Sequence, residues 1–137
     1  MINDIWLNLP VKDIQKSKAF FVTLGFRFTT MYGDTETSTC LQIGNQNFMI
    51  MLFEEYVFKS FSRAEITDSR LASEILISIG ADSRAEVDSI ATLVLDAGGT
   101  LFAAPAESQG WMYGCAFLDL DSHRWNVLYM DPEMMPR

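Results

Sequence analysis

Histidine and cysteine are scarce in this chain. Its 137 residues include one histidine, His123, and two cysteines, Cys40 and Cys115. Two cysteines are too few for a disulfide scaffold. Each lies in an apolar, strand-like run, where a thiol serves as a small core residue. The expectation is a cytoplasmic protein with both thiols reduced. Basic residues are also few: ten Lys and Arg stand against eighteen Asp and Glu, for a net charge of -8. The ten are scattered, which argues against a nucleic-acid partner, whose phosphates call for clustered positive charge. It equally argues against a polybasic membrane patch. No apolar run reaches the roughly 18 residues needed to span a bilayer. Met1-Ile2-Asn3-Asp4 shows no basic region leading into an apolar one, so no secretory signal is expected.

What is present suits one domain of ordinary size. Apolar residues make up 49% of the chain, enough for a real core. Residues 4–11 alternate, with Ile5, Leu7 and Leu9 on one face and Trp6 and Asn8 on the other, so they read as a strand. Pro10 ends that strand or marks it as an edge. Residues 13–24 change to helical spacing, with Ile14, Ala19-Phe20-Phe21 and Leu24 as the apolar stripe. Asp13 caps the start, and Gly25 stops the helix by taking positive φ. Strands are predicted at Phe26–Thr30, Ser38–Ile43 and Asn47–Phe53, separated by turns at Gly33-Asp34 and Gly44-Asn45-Gln46. Residues 55–71 read as a linker. Its first part has helical spacing and suits a short helix over a sheet edge.

The pattern then begins again. Glu74–Ile79 is a predicted strand, and Ser83 with Glu86 has capping-box spacing. Val87, Ile90, Ala91, Val94 and Leu95 form a helical stripe that Gly98-Gly99 ends. Strands follow at Thr100–Ala104, Trp111–Leu118 and Trp125–Met130, with a polar loop from Pro105 to Gly110. The chain is therefore α+β: two βαβββ modules within a single domain, at about 1–54 and 72–131. Curved mixed sheets of this kind are expected to enclose a cleft, and clefts between repeated units are common ligand sites.

Three stretches carry a family resemblance: Leu9-Pro10-Val11-Lys12-Asp13, Phe20-Phe21 with Leu24-Gly25-Phe26, and Asp119-Leu120-Asp121-Ser122-His123-Arg124-Trp125-Asn126. In their order and spacing the chain resembles the vicinal-oxygen-chelate superfamily of glyoxalases, bleomycin-resistance proteins, fosfomycin-resistance enzymes and extradiol dioxygenases. It looks most like the small bacterial proteins labelled predicted lactoylglutathione lyases. The resemblance implies a homodimer. It also implies a divalent metal, held by His, Glu or Gln on the first and last strands of each module, that polarises vicinal oxygens.

The residues at those positions are different here. Seven residues before Asp13 stands Trp6, whose indole cannot ligate. The fourth-strand position falls at about Met49, a poor partner for hard or borderline metals. The fifth-strand position falls at about Glu74, which could ligate, and the last at Asn126, a neutral amide. Catalytic sites usually supply at least three protein ligands, so no metal and no cofactor are expected. His123, in a turn two residues before Trp125, reads as a surface residue.

Alternation places Trp6, Asn8, Met49, Met51, Glu74, Leu76, Asn126 and Leu128 on the cleft side, with Tyr113 and Cys115 expected to line it as well. A mostly apolar wall with a few polar groups is the pattern of a small-molecule site. Glu74, if enclosed by apolar neighbours, is the one candidate for acid–base work. The expected function is metal-independent binding of a small molecule. The alternatives are a glyoxalase-like lyase or isomerase, and an interaction module with a filled cleft.

Overall fold

The computed structural model describes residues 1–31 and 33–136. The chain divides into two compact units, Met1–Asp68 and Ser69–Arg137. Each contains a four-stranded mixed sheet with helix on it. The first unit runs β1 (Leu7–Val11), α1 (Ile14–Thr23), β2 (Arg27–Thr29), β3 (Ser38–Ile43), β4 (Phe48–Glu54) and α2 (Glu55–Ser62). The second runs β5 (Leu76–Gly80), α3 (Arg84–Asp96), β6 (Thr100–Ser108), β7 (Met112–Leu118) and β8 (Arg124–Met130). The sheet orders are β1-β4-β3-β2 and β5-β8-β7-β6. In both, the first strand pairs parallel with the last, and the other pairs are antiparallel. The βαβββ duplication read from the sequence is thus the observed topology, with α2 appended to the first copy.

The helix ends follow from local chemistry. The Asp13 carboxylate accepts a hydrogen bond from the Lys16 amide at 3.0 Å, satisfying one free donor at the start of α1. At its far end Gly25, at φ +89°, turns the chain so that the Phe26 amide bonds back to Phe21. Ser83 Oγ likewise accepts from the Glu86 amide at 3.1 Å. The Glu86 carboxylate reaches back to the Asp82 amide, one residue further than a standard capping box.

Each core is a sheet face covered by helix. In the first unit Leu9 and Val11, Leu41, and Ile50 and Leu52 meet Ile14, Phe20, Phe21 and Leu24, all nearly solvent-free. Fully burying a side chain of this size stabilises by roughly 1.5–3 kcal/mol. Ser17, not the exposed Ala19, completes the buried stripe of α1, because the helix shows the sheet Ile14, Ser17 and Phe20-Phe21 in sequence. In the second unit Val87, Ala91 and Val94 of α3 cover Phe117, Trp125 and Val127.

Several boundaries differ from the sequence expectation. β1 starts only at Leu7, not at residue 4, while its run through Pro10 follows the edge alternative that the proline left open, because one side of an edge strand needs no donor. β6 also runs on through Pro105 to Ser108, where a loop was expected. It is an edge strand too, and its register shifts between Ala103 and Ala106, so the proline sits in an irregularity of the ladder. β5 begins at Leu76, two residues later than expected, leaving Glu74 outside the strand. The short helix expected at the start of the 55–71 stretch is α2, which lies against β1 and β4 and sets Phe61 edge-on to Phe53 at 5.3 Å.

Candidate functional site: a cavity on the open face of the first sheet

The face of the first sheet away from α1 is set by register. Asn8 stands opposite Met51, which stands opposite Cys40; Met49 pairs with Gln42 and Phe53 with Ser38. Neighbouring residues at the same pleat share a face, so Asn8, Met49, Met51 and Phe53 all lie on it. The chain before β1 is unpaired, and Asp4, Ile5 and Trp6 border the same face. There they help enclose a cavity of about 590 Å³ lined by Asp4, Ile5, Trp6, Gly33, Asn47, Met49, Met51 and Phe53. Ile5 was expected to face the helix. It is instead 77% exposed, because the strand that would have turned it inward starts only at Leu7.

The far wall is the loop before β3. Ser38 Oγ donates to the Gly33 carbonyl at 2.7 Å and contacts Thr35 Oγ1 at 2.8 Å. Asp34 ties the loop to Thr39 and to Lys18 of α1. Gly33, at φ +75°, lies so close to the Met51 methyl that a Cβ there would overlap it. The Met51 side chain is therefore wedged between this loop and the cavity. The cavity wall is mostly apolar and polarisable, and among the described lining residues Asp4 is the one charged side chain.

In the second unit the face away from α3 is built from Leu76, Ser78 and Gly80, from Arg124, Asn126 and Leu128, and from Gly114 and Ala116. Asn126 donates from Nδ2 to Ser78 Oγ at 3.4 Å. The amide thus has a partner in its own sheet, while Leu76 is half exposed. Tyr113 and Cys115 do not share this face. Cys115 pairs with Val127 and Tyr113 with Tyr129, which puts both on the side that α3 covers. Tyr113 donates its hydroxyl to Asp88 of α3 at 2.6 Å, and that bond holds its proton above the ordinary phenol value. Cys115 approaches the Val87 carbonyl. Burial, helped by the charge of Asp88, pushes its thiol up to about 11. Parity within one strand was legible; the register that assigns that parity to a face was not. Glu74 is exposed in a bend, so it lacks the enclosure that acid–base work was expected to draw on.

The Asp119–Trp125 stretch proves to be a fastening. The Asp119 carboxylate accepts hydrogen bonds from the amides of Asp121 and His123 and from the Trp125 indole, at 2.9, 3.0 and 3.0 Å. Burial pushes the Asp119 carboxyl up, against the pull of His123 and of these donors. Ser122, at φ +64°, closes the turn. The indole it fixes is solvent-free and stacks on Phe117 at 5.8 Å. This role went unread in the sequence, although a buried Asp followed by an indole donor was a signal for it.

The donors do not fit a divalent metal. Among the described residues no group of three or more His, Cys, Asp and Glu side chains is placed to hold one. Position by position the set is an indole at Trp6, a thioether at Met49 and an amide at Asn126. The count that reaches Trp6 from the α1 cap reaches Leu76 from the Ser83 cap of α3, which corrects the fifth-strand position from Glu74 to an aliphatic residue. None of these four supplies a charged ligand.

Comparison with known proteins agrees with the architecture. The family model described as bleomycin resistance protein-like N-terminal matches residues 5–44. A hypothetical protein from S. aureus has 34% sequence identity and a TM-score of 0.84, with 94% of this chain and 95% of that chain covered. A glyoxalase/bleomycin resistance protein/dioxygenase family enzyme from Burkholderia phytofirmans shares the fold at 19% identity, with a TM-score of 0.77 over 91% and 96% of the two chains. A genomically encoded fosfomycin resistance protein from Listeria monocytogenes does so at 20% identity, with a TM-score of 0.67 over 97% and 98%. Curated proteins include no significant match. The chain belongs to the glyoxalase/bleomycin-resistance/dioxygenase superfamily.

Proposed function

We propose that this protein binds a small organic molecule without a metal, in the cavity on the open face of the first sheet. The observation that carries the reading is that cavity: about 590 Å³, bounded by Trp6, Met49, Met51 and Phe53. Its volume lies within the usual range for small-molecule sites of ~300–1,000 Å³. Thioethers adapt to varied ligand shapes. Open space of this size counts against an interaction module with a filled cleft. The four ligand positions, holding Trp6, Met49, Leu76 and Asn126, lend no support to a metal-dependent lyase or isomerase.

A homodimer is part of the proposal, supported by the family and by exposed apolar residues such as Leu71, Ile75 and Leu76. A cytoplasmic setting suits two free, buried cysteines. No described helix is long and apolar enough to cross a membrane. The deciding experiment is a thermal-shift screen of chemically diverse small molecules. A ligand at 100 times its Kd stabilises by about 2.7 kcal/mol, which moves Tm by roughly 5–10 °C for a chain of this length. Hits should disappear in Met49→Trp, which fills the cavity from a half-buried position. A screen with no stabilising compound, or hits indifferent to Met49→Trp, would sink the reading.

A further inference from the structure

The lining of the first-unit cavity is uneven in one respect. Seven of its eight residues carry no charge, and the eighth is Asp4. Asp4 stands two residues from Trp6, whose indole is 54% exposed beside the cavity. Phe53 adds a second aromatic ring, and the amide of Asn47 and the indole N–H of Trp6 are the other polar side-chain groups among the described lining residues. A carboxylate at the mouth of an otherwise apolar, aromatic and thioether wall favours one class of ligand. A neutral apolar molecule gains nothing from the carboxylate, and an anion meets repulsion. An organic cation with an apolar body satisfies both parts: its charge meets Asp4 and the indole face, and its body covers Met49, Met51 and Phe53. The net charge of -8 adds a field that draws cations toward the protein.

We infer that the cavity is selective for small organic ammonium compounds carrying an aromatic or aliphatic group. This rests on the small-molecule reading above and narrows it to a class. Asp4 supplies the counter-charge and Trp6 the π-face. Asn47 orients polar substituents, and Met51, backed by Gly33, adjusts to the body of the ligand.

The test compares three soluble probes of similar size: phenethylammonium, phenethyl alcohol and phenylacetate. Affinities are read by calorimetry and by quenching of tryptophan fluorescence at low and high salt. The ammonium probe should bind at least about five-fold more tightly than the alcohol, the scale expected of one exposed charge contact, and phenylacetate more weakly than either. Asp4→Asn should remove most of that preference and its salt dependence. Trp6→Leu should weaken both probes through lost packing, and should weaken the ammonium by a larger factor than the alcohol. Both residues are exposed outside the core, so the variants are expected to fold as the parent does. Equal binding of ammonium and alcohol overturns the cation assignment and leaves the cavity reading standing. Failure of all three probes also overturns the assignment, while the diverse screen judges the cavity separately. Ammonium affinity that falls as protein concentration rises puts a second copy of the chain over the cavity and overturns it too.

Discussion

Replacing Asp119 with asparagine isolates a single geometric demand. The carboxylate has two oxygens, and the turn uses both. Oδ1 accepts from the amides of Asp121 and His123, and Oδ2 accepts from the Trp125 indole. Asparagine offers one oxygen and one NH2. If its oxygen stays on the two amides, the NH2 faces the indole N–H, donor against donor. If it flips, the NH2 faces two backbone donors, which is worse. The better arrangement loses one hydrogen bond and leaves two buried donors unsatisfied, at ~1–3 kcal/mol per group. The expected cost is about 3 kcal/mol, or a Tm lower by roughly 6–12 °C at this chain length. Urea unfolding followed by far-UV circular dichroism measures it, because that signal reports on all four proteins of a mutant cycle, those without Trp125 included. A double-mutant cycle with Trp125→Phe separates this mechanism from a general loss of charge. Removing the indole donor should relieve the clash, so the two substitutions should couple by at least about 1 kcal/mol. Additive effects, or an Asp119→Asn variant within about 0.5 kcal/mol of the parent, refute the argument.

Three further outcomes follow from the same structure. A Cβ added at Gly114 would lie 2.7 Å from the Val127 carbonyl oxygen and 2.6 Å from a Leu128 methyl. Gly114→Ala should therefore destabilise by about 1–3 kcal/mol and raise hydrogen exchange along β7 and β8; an unchanged Tm would contradict that packing. Gly33→Ala meets both the left-handed strain of φ +75°, about 1–2 kcal/mol, and the Met51 methyl. It should lower Tm and change ligand affinity together, and a change in neither counts against the wedge. The Cys115 thiol, pushed by burial from its ordinary value up to about 11, keeps its proton longer folded than unfolded. Its contribution to stability is complete below pH 9 and is lost as pH rises through about 11. The stability difference between the parent and Cys115→Ala should narrow across that interval in urea titrations, and a constant difference would disprove the assignment.

The repeat was legible because it is written twice in local signals: an aspartate or serine cap, a helical stripe, a glycine stop and alternating strands. Those signals act within a few residues, so order and type came through. The edges came through poorly where tertiary context decided them. Pro105 reads as a strand breaker, yet an edge position with a shifted register accommodates it. Trp6 reads as alternating with Leu7, yet no strand pairs with it. The candidate site was legible in part: Trp6, Met49 and Met51 converge on one cavity, while Asp4, Ile5, Gly33, Asn47 and Phe53 were not on the expected list. Gly33 was missed because its role depends on a loop folding back over β4, a long-range event with no local mark. Tyr113 and Cys115 went to the wrong face because register across β7 and β8 is fixed by pairing, not by parity. The metal-ligand positions divide: a count of seven from the Asp13 cap reaches Trp6 directly, whereas the fifth-strand position was placed at Glu74 and only the same count from the Ser83 cap moves it to Leu76.

The parallel pairing of β1 with β4, and of β5 with β8, has a consequence for how the chain acquires its structure. In each unit the first strand made is an edge strand whose only partner is the last strand made. Each sheet therefore closes only when the whole unit is available, and non-local closure of this kind is slow. Ribosomal synthesis runs from the N-terminus at roughly 5–20 residues per second. The first unit holds every residue of the cavity lining, so its sheet and its cavity can close several seconds before β8 exists. A molecule bound there as proposed would therefore meet the first-unit cavity on a half-made chain and favour closure of that unit while the second is still being translated.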